Sequence, residues 1–384
     1  MKTILGNISP ELIKKTYRWF RYGHERKRLV RENGIRRRQN ELLPKLFVNN
    51  NRPLVVFVVQ GADRFSGKDN ISGGAISIMS LCEETRKLNE QFGFQTIMCT
   101  MHGEVLLEKH EQFENNTPVF RFEQLHRYFT QSSVLTFHIP EYMTEKFVIT
   151  LSVADRLWFQ ERKMVHINIM NQNIRLMPGV DIIAKVKNVT NKVTITTAHQ
   201  KYCTPIYREK YGVPIHKFSV WISPEQYRFV EWKDKDNLIV VSPDEHPMKS
   251  QVLEQLKFIP GLKVQIIKNL TYNQYKELIS RAKWSLTFGE GLDGYLIEPV
   301  FSGAIGFAVY NEDFFTPDYK ELKTIYSDYN DLSGNIHKDI VKLDIEKEFE
   351  NYQKKIFQIC AYHYSKEQYL SNVKAFYDGK YTHP

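Results

Sequence analysis

The sequence alternates apolar strand-like segments with helix-length segments, twice in succession, and this alternation limits the possible folds more than any other feature. The unbroken run LVVFVV at residues 54–59 predicts a strand of a parallel sheet that is covered on both faces. Further strand candidates follow it: QTIMCTM, SVLTFHI, VHINIM and VTITTA. Residues 75–88 predict a helix between the first two strands, and residues 144–163 predict one long helix. This order predicts a parallel α/β domain.

A second series of the same kind follows a pause in the pattern. Residues 212–236 contain two prolines and a charged cluster, which favours a linker. Beyond it come NLIVVSP, LKVQIIKN, KWSLTFG, AIGFAVY and KTIYSD, and then a helical C-terminus. A chain of 384 residues is also too long for one ordinary core. We therefore predict a basic helical arm, two α/β domains and C-terminal helices, at residues 1–48, 49–222, 223–345 and 346–384.

The net positive charge of the chain lies in its N-terminal arm. Residues 1–50 hold 13 Lys and Arg against four Glu, a surplus of nine that equals the net charge of the whole chain, +9. Ser9 and Pro10 favour a helix start. One face of that helix would carry Ile13, Tyr17 and Phe20 beside basic residues. Three interpretations remain open: a solvated arm packed on the body, a helix on an anionic membrane surface, and a nucleic-acid-binding segment. No nucleic-acid motif accompanies the charge, so we expect no nucleic-acid partner.

The cysteines and the apolar runs bear on the compartment. The four cysteines, Cys82, Cys99, Cys203 and Cys360, lie far apart, and no pair has the spacing of a zinc site. We interpret them as buried free thiols in a reducing cytosol. The first residues lack the apolar core of a signal peptide, and the run at 54–59 is too short to span a bilayer. We expect a cytoplasmic protein, peripheral on the inner face of the cell membrane if the arm binds lipid.

Polar residues and glycines follow the predicted strands of the first domain. Ligands of open α/β sheets bind outside the carboxyl ends of the strands, so residues at those ends are candidates for binding. The glycines would let backbone N–H groups approach an anion, and the amides would bond a polar substrate. An ordinary turn and histidines bonded to the backbone are the alternatives. The candidates are Gly73, Gly74, His138, Asn171, Asn173 and His199.

In the second domain, the stretch WSLTFGEGLDGYLIEPVFSGAIGF places two glutamates around a glycine-rich turn. Gly289 ends a strand, and the amides around Gly294 and Tyr295 begin a helix, where a diphosphate would bind well. Glu290 on the loop would accept hydrogen bonds from sugar hydroxyls, and Glu298 on the helix would accept both hydroxyls of a ribose. Two unrelated surface glutamates are the alternative. The apolar surroundings disfavour it, because buried carboxylates need partners.

Ser242 and Lys249 lie just beyond the first strand of the second domain. Lys249 would neutralise a phosphate if it faces the ligand, and would be an ordinary helix-surface residue if it does not. Asp244 and His246 nearby have no further partners at metal-binding spacing, so we expect no metal site.

The segment EGLDGYLIE at residues 290–298 resembles the E-x7-E signature of retaining GT-B glycosyltransferases of the glycosyltransferase family four type. VVFVV…SGG resembles the first strand and glycine loop of that family. TAHQKYCTPIYREKYGVPIHKFSVWIS resembles the segment that leads into its interdomain linker. The resemblance covers most of residues 54–345, although only E-x7-E is specific. It implies a GT-B architecture, in which two Rossmann-like domains face a cleft and the last helices cross back to the first domain.

The resemblance also implies roles for individual residues. Glu290 would contact the donor sugar, Glu298 would hold the ribose, and Lys249 would neutralise the leaving diphosphate. Gly73 and Gly74 would line the donor phosphates, and Ser242 lies near the place of another phosphate-binding residue. His138 would lie near the transferred sugar and the acceptor.

The function that the resemblance implies is retaining transfer of a sugar from a nucleotide-diphosphate sugar to a bacterial-type surface glycan or lipid-linked acceptor, such as capsule or lipopolysaccharide. The nucleotide sugar is a co-substrate, and we expect neither cofactor nor metal, because the helix start and basic side chains would stabilise the leaving group. The alternative is a catalytically silent GT-B-shaped subunit that binds a polysaccharide or a partner transferase.

Overall fold

Two parallel sheets organise the computed structural model, which describes residues 10–63, 69, 73–110, 117–190, 192–220 and 222–384, with backbone only for 10–21 and 24. Ser9, the predicted helix cap, lies outside the described residues, and so do the side chains of the predicted aromatic stripe. The first sheet has the strand order β3-β2-β1-β4-β5-β6-β7. Its strands are β1 (Leu54–Val59), β2 (Gln95–Thr100), β3 (Val119–Arg121), β4 (Val134–Pro140), β5 (Met164–Asn171), β6 (Lys192–Thr197) and β7 (Ile215–Lys217).

The second sheet has the order β12-β11-β10-β8-β9. Its strands are β8 (Asp236–Val241), β9 (Lys263–Ile266), β10 (Ala282–Leu286), β11 (Ile305–Val309) and β12 (Ile325–Tyr326). All strand pairs within both sheets are parallel. The prediction of a parallel α/β architecture is confirmed.

Helices connect the strands and cover the sheets. They are α1 (Pro10–Leu46), α2 (Gly73–Lys87), α3 (Asn89–Phe92), α4 (Phe122–Tyr128), α5 (Thr144–Thr150), α6 (Val153–Gln160), α7 (Val180–Lys187), α8 (Pro205–Tyr211), α9 (Lys249–Leu256), α10 (Tyr272–Arg281), α11 (Gly294–Phe301), α12 (Tyr329–Leu343), α13 (Glu346–His363) and α14 (Lys366–Tyr377). Among the described residues, no helix combines the length and the apolar character needed to cross a lipid bilayer.

Two segments differ from the sequence interpretation. The prediction of one helix over 144–163 is wrong, because a new helix, α6, begins after Ser152. The Ser152 hydroxyl accepts from the Asp155 N–H at 3.2 Å, and the Asp155 carboxylate accepts from the Ser152 N–H at 2.9 Å. This reciprocal capping box starts α6 independently of α5. The predicted linker at 212–236 contains strand β7, which adds to the edge of the first sheet.

Each sheet has a point where the strand order reverses direction. In the first sheet, β1 pairs with β2 on one side and with β4 on the other. In the second sheet, β8 pairs with β9 and with β10. Successive connections leave to opposite sides at such a point and open a crevice at the carboxyl ends of the strands. The segments that follow β1, β4, β8 and β10 are therefore the places to look for a site.

The C-terminal helices join the two halves of the chain. Ile356 and Cys360 of α13 belong to the core of the second sheet. Val373 and Phe376 of α14 belong instead to a core that includes Phe57 of β1 in the first sheet. Helix α13 thus packs in the core of the second sheet, and α14 packs in a core of the first sheet. All four cysteines are buried and free, as predicted.

The arm is one long helix, α1, whose second half is packed on the first sheet. Leu43 lies in the core, and the buried Gln39 amide donates to the carbonyls of Leu107 at 3.0 Å and Val119 at 2.7 Å. Arg121 donates to the Gln39 side chain at 2.6 Å. Farther towards the N-terminus, apolar and aromatic side chains of the described part are exposed: Tyr22, Leu29 and Val30.

Candidate functional site

A cavity of about 660 Å³ lies between the carboxyl ends of the two sheets. Both halves of the chain line it, which makes it an interdomain cleft. The first half contributes Gly73, Gly74, Glu141, Asn173, Arg175 and His199. The second half contributes Asp244, Tyr272, Gly289, Glu290, Asp293, Gly294, Tyr295, Glu298 and Tyr364. The structure thus brings together most of the residues that the sequence singled out, from loops far apart in the chain.

Helix α11 points its first turn at this cavity. Asp293 caps the helix by accepting from the Leu296 N–H at 3.2 Å. Helical side chains lean towards the N-terminus of their helix, so Glu298 reaches back over the first turn. A Cβ atom at Gly294 would lie 2.7 Å from Glu298 Oε1, which is too close. Glycine at this position therefore lets the Glu298 carboxylate lie against the helix start.

Glu298 is buried among tyrosines. Burial raises the pKa of its carboxyl to about 8; the nearby hydroxyls of Tyr227 and Tyr275 lower it in part, and Asp293 raises it further. One oxygen, Oε2, is buried without a hydrogen-bond partner among the residues that the structure describes. A buried carboxylate oxygen without a partner is costly, and a ligand hydroxyl would satisfy it.

Glu290 lies on the loop after β10 and is half-buried. The side-chain amide of Asn173, which comes from the first half of the chain, donates a hydrogen bond to Glu290 Oε1. Burial raises the pKa of Glu290 to about 7; Arg175 lowers it and the Asp244 carboxylate raises it. Glu290 is therefore an acidic group in contact with both halves of the cleft.

Glu141 is a cavity residue that sequence reasoning missed. It follows β4 at the reversal point of the first sheet, in one turn of 3-10 helix at Glu141–Met143. Its Oε1 accepts from the Asn173 N–H at 3.0 Å, and its Oε2 is buried without a partner among the described residues. Burial raises its pKa to about 7, and Glu290 contributes to the rise. The signal was available, since an acid directly after a strand is as notable as a histidine.

His138 occupies a different place from the one expected. The strand continues past it to Pro140, and His138 pairs in register with Phe57 and Asn168 inside the sheet. Its Nε2 lies 2.9 Å from the Tyr377 hydroxyl of α14, and burial lowers its pKa to about 3. The interpretation that His138 directly follows the strand is wrong, and His138 is not among the described residues that line the cavity.

Lys249 and Ser242 hold the strand ends together behind the described cavity lining. Lys249 is buried, and its Nζ donates to the carbonyl oxygens of Ser242 at 3.2 Å and Asp244 at 2.6 Å. The Ser242 hydroxyl accepts from the Phe288 N–H at 3.0 Å. Asn171 is likewise buried at the end of β5, where its carbonyl accepts from the Ala198 N–H at 3.0 Å. The structure does not bring these three side chains into the described lining of the cavity.

The cavity is rich in acids and poor in bases. Among its described lining residues, Arg175 alone carries a permanent positive charge, and its Nε donates to Asp313 Oδ2 at 2.9 Å. Burial lowers the pKa of His199 to about 4, so this imidazole is neutral at physiological pH. Burial also raises the pKa of Asp293 to about 7, and its Oδ2 accepts from the Thr287 hydroxyl at 2.8 Å.

This arrangement can bind a polar ligand with many hydroxyl groups. Its carboxylates offer hydrogen-bond acceptors on both sides of the cleft, and three of them, Glu141, Asp244 and Glu298, keep one buried oxygen without a partner among the described residues. The glycine-rich starts of α2 and α11 present backbone N–H groups, which favour an anionic group such as a phosphate. Aromatic side chains line the same cavity, including Tyr142, Tyr272 and Tyr295.

Solved structures with the same architecture exist. The structure is similar to Anabaena HepE in complex with UDP and glucose, with a TM-score of 0.54 and 9% identity over 85% of this chain and 100% of that chain. Sucrose-phosphate synthase from Thermosynechococcus elongatus matches with a TM-score of 0.51 and 10% identity over 85% and 99% of the two chains. The S. aureus MnaA–UDP structure matches with a TM-score of 0.50 and 11% identity over 86% and 98%.

The sequence itself matches no protein-family model and no curated protein. The structural neighbours include GT-B glycosyltransferases, and identities this low establish the fold alone. The chain therefore has the GT-B fold: two Rossmann-like halves facing a cleft, preceded by a basic helical arm.

Proposed function

We propose that this protein is a retaining glycosyltransferase that moves a sugar from a nucleotide-diphosphate sugar to a glycan or lipid-linked acceptor. The observation that carries the proposal is the pair Glu290 and Glu298, which flanks the start of α11 in the cleft of a GT-B fold. The spacing of this pair is that of the E-x7-E signature, and solved neighbours with this fold contain UDP or UDP and glucose.

In this proposal, the donor lies along the start of α11. The free oxygen of Glu298 accepts a ribose hydroxyl, and the amides of Gly294 and Tyr295 face the diphosphate. Glu290 accepts hydroxyls of the sugar, on the side where Asn173 reaches it from the first half. Gly73 and Gly74 approach the phosphates from across the cleft, and Arg175 adds positive charge at the rim.

The acceptor and the location are part of the same proposal. An acceptor that is a surface glycan or a lipid-linked sugar would reach an enzyme on the cytoplasmic face of a membrane. The exposed part of α1 carries Arg26 and Lys27 beside Leu29 and Val30, a combination that favours an anionic membrane surface.

A catalytically silent GT-B-shaped subunit is the second candidate, and a specific observation favours it. Lys249, which would neutralise the diphosphate, is buried and bonded to backbone carbonyls. A binding subunit for polysaccharide or for a partner transferase does not need to stabilise a leaving diphosphate.

Release of nucleoside diphosphate distinguishes the two candidates. We would incubate the full chain with UDP-glucose, GDP-mannose and dTDP-glucose, first with water as the only acceptor and then with added glycans, and measure release of the diphosphate. The transferase proposal predicts release from one donor, and a decrease of at least about tenfold in Glu290→Gln, which removes a group that contacts the sugar. The exposed Glu350→Gln on α13 is the matched control and should release at the wild-type rate. If a nucleotide binds but no donor releases its diphosphate, either with or without an added glycan, the result would favour the silent subunit.

A further inference from the structure

Two carboxylates from opposite halves of the chain meet at one residue, Asn173. The backbone N–H of Asn173 donates to Glu141 Oε1 at 3.0 Å, and its side-chain amide donates to Glu290 Oε1. Glu141 belongs to the first half of the chain and Glu290 to the second. Asn173 therefore holds the two acids close together across the cleft.

Glu141 is held in place on one side and free on the other. It is 3% exposed, it lines the cavity, and its Oε2 has no hydrogen-bond partner among the described residues. Leaving a buried polar atom unsatisfied costs roughly 1–3 kcal/mol, and more for a charged group. Such an oxygen at the reversal point of the sheet, where ligands of this architecture bind, is suited to a ligand that donates a hydrogen bond.

We propose that Glu141 is a sugar-binding residue and that its Oε2 accepts a hydrogen bond from a hydroxyl group of the sugar carried by the nucleotide. The proposal rests on the proposed function and adds a residue from the first half to the site. The sugar is the relevant part of the donor because Glu141 is coupled through Asn173 to Glu290, on the loop before α11. Glu298, assigned to the ribose, lies inside α11.

The same geometry limits the class of sugar. The two acids lie close enough for the Glu290 carboxylate to contribute to the raised pKa of Glu141. A neutral sugar donates hydroxyl hydrogens to both acids, whereas a uronic acid would bring a third carboxylate beside them, and Arg175, the one permanent cation among the described lining residues, is already paired with Asp313. The site should therefore accept a neutral pyranose and discriminate against the corresponding uronic acid.

The test compares a nucleotide with its own sugar adduct. Calorimetry would measure the Kd of UDP, UDP-glucose and UDP-glucuronate, and of GDP with GDP-mannose and dTDP with dTDP-glucose, for the wild type, Glu141→Ala and Glu141→Gln. We expect Glu141→Ala to weaken nucleotide-sugar binding by about tenfold to a hundredfold, the range for a hydrogen bond to a charged group, and to change nucleoside-diphosphate binding less than about twofold. Glu141→Gln, which keeps one acceptor oxygen, should lose less affinity for the nucleotide sugar. Glu145 is an exposed acid on the next helix, and Glu145→Gln is the matched control, which should keep the wild-type affinity for every ligand.

The outcomes separate this inference from the proposed function. If Glu141→Ala loses affinity equally for the nucleotide and the nucleotide sugar, Glu141 only supports the fold. If its affinity for the nucleotide sugar is unchanged, Glu141 does not contact the sugar. Either result overturns the inference and leaves the proposed donor site unaffected. Absence of any nucleotide binding to the wild type would overturn the proposed function itself, and the inference with it. A thermal unfolding curve of each variant would show whether the change alters the fold.

Discussion

At the residue scale, the cleft is lined by carboxyl groups that are protonated more readily in the folded state than in the unfolded chain. Burial raises the pKa of Glu298 to about 8 and that of Glu141, Glu290 and Asp293 to about 7. Between the ordinary carboxyl range and these values, the folded protein binds more protons than the unfolded chain. Its stability against unfolding therefore falls as pH rises through 7 and 8. An acidic binding site that lowers stability in this way is common where function needs buried charge.

Replacing Glu298 by Gln should make the protein more stable at high pH. The free energy of unfolding, measured by urea at pH 5 and pH 8.5, should be similar for the wild type and Glu298→Gln at pH 5. At pH 8.5 the variant should exceed the wild type by about 1–3 kcal/mol, because it lacks a buried charge. The exposed Glu350→Gln should follow the wild type at both pH values. If the free energy of unfolding changes equally for Glu298→Gln and the wild type between pH 5 and pH 8.5, Glu298 does not titrate in this range.

At the element scale, the first turn of α11 is the part of this helix that we assign to ligand binding. The helix has only eight residues, and its first turn presents Gly294 beneath the Glu298 carboxylate. An alanine at 294 would favour the helix intrinsically, yet its Cβ would lie 2.7 Å from Glu298 Oε1 and displace that carboxylate.

We therefore expect Gly294→Ala to weaken nucleoside-diphosphate binding by about tenfold, with little change in the urea midpoint. Gly334→Ala in α12 is the matched control, since no atom lies within 4 Å of its added Cβ. That change should stabilise the protein by about 0.5–1 kcal/mol and leave binding unchanged. Wild-type affinity in Gly294→Ala would contradict the assignment of Glu298 to the ligand.

The secondary-structure elements also show which parts of the fold can be predicted from sequence patterns. Unbroken apolar runs such as LVVFVV are long enough to identify a buried strand, whereas β7 has only three residues and no such run. The break before α6 was readable, because Ser152 and Asp155 have the spacing of a capping box. The apolar pattern on both sides of that box favoured one continuous helix instead.

The candidate site was predictable to a different degree. Glu290 and Glu298 are close in sequence, so a local motif identifies them. The direction of a side chain is not local information: Lys249 turns to the carbonyls of Ser242 and Asp244. The pairing of Glu141 with Asn173 depends on how two loops fold together, and no spacing in the sequence encodes it.

At the scale of the whole molecule, helix α1 carries the exposed basic side chains of Arg26 and Lys27. Its second half is packed on the first sheet through Gln39 and Leu43, so removal of the entire arm would expose the core. A test of membrane binding must therefore change the exposed charges and leave the helix in place.

We expect the full chain to sediment with vesicles that contain phosphatidylserine, and to be released by salt. Arg26→Gln combined with Lys27→Gln should weaken this binding, since each basic residue near such a surface contributes about 1 kcal/mol. Lys342→Gln with Lys347→Gln, two exposed lysines on α12 and α13, is the charge-matched control. Equal loss of binding in both double variants, or equal binding to duplex DNA, would contradict a specific membrane role for α1.

Every role assigned to the cleft depends on binding of a nucleoside diphosphate at the start of α11, which calorimetric titration measures. UDP, GDP and dTDP would each be titrated into the wild type, Glu298→Ala and the control Glu350→Ala. We expect micromolar binding of one nucleotide, wild-type binding in the control, and a loss of affinity of at least about tenfold in Glu298→Ala, equivalent to about 1.4 kcal/mol. Failure of all three nucleotides to bind the wild type, or equal binding by Glu298→Ala, would contradict it.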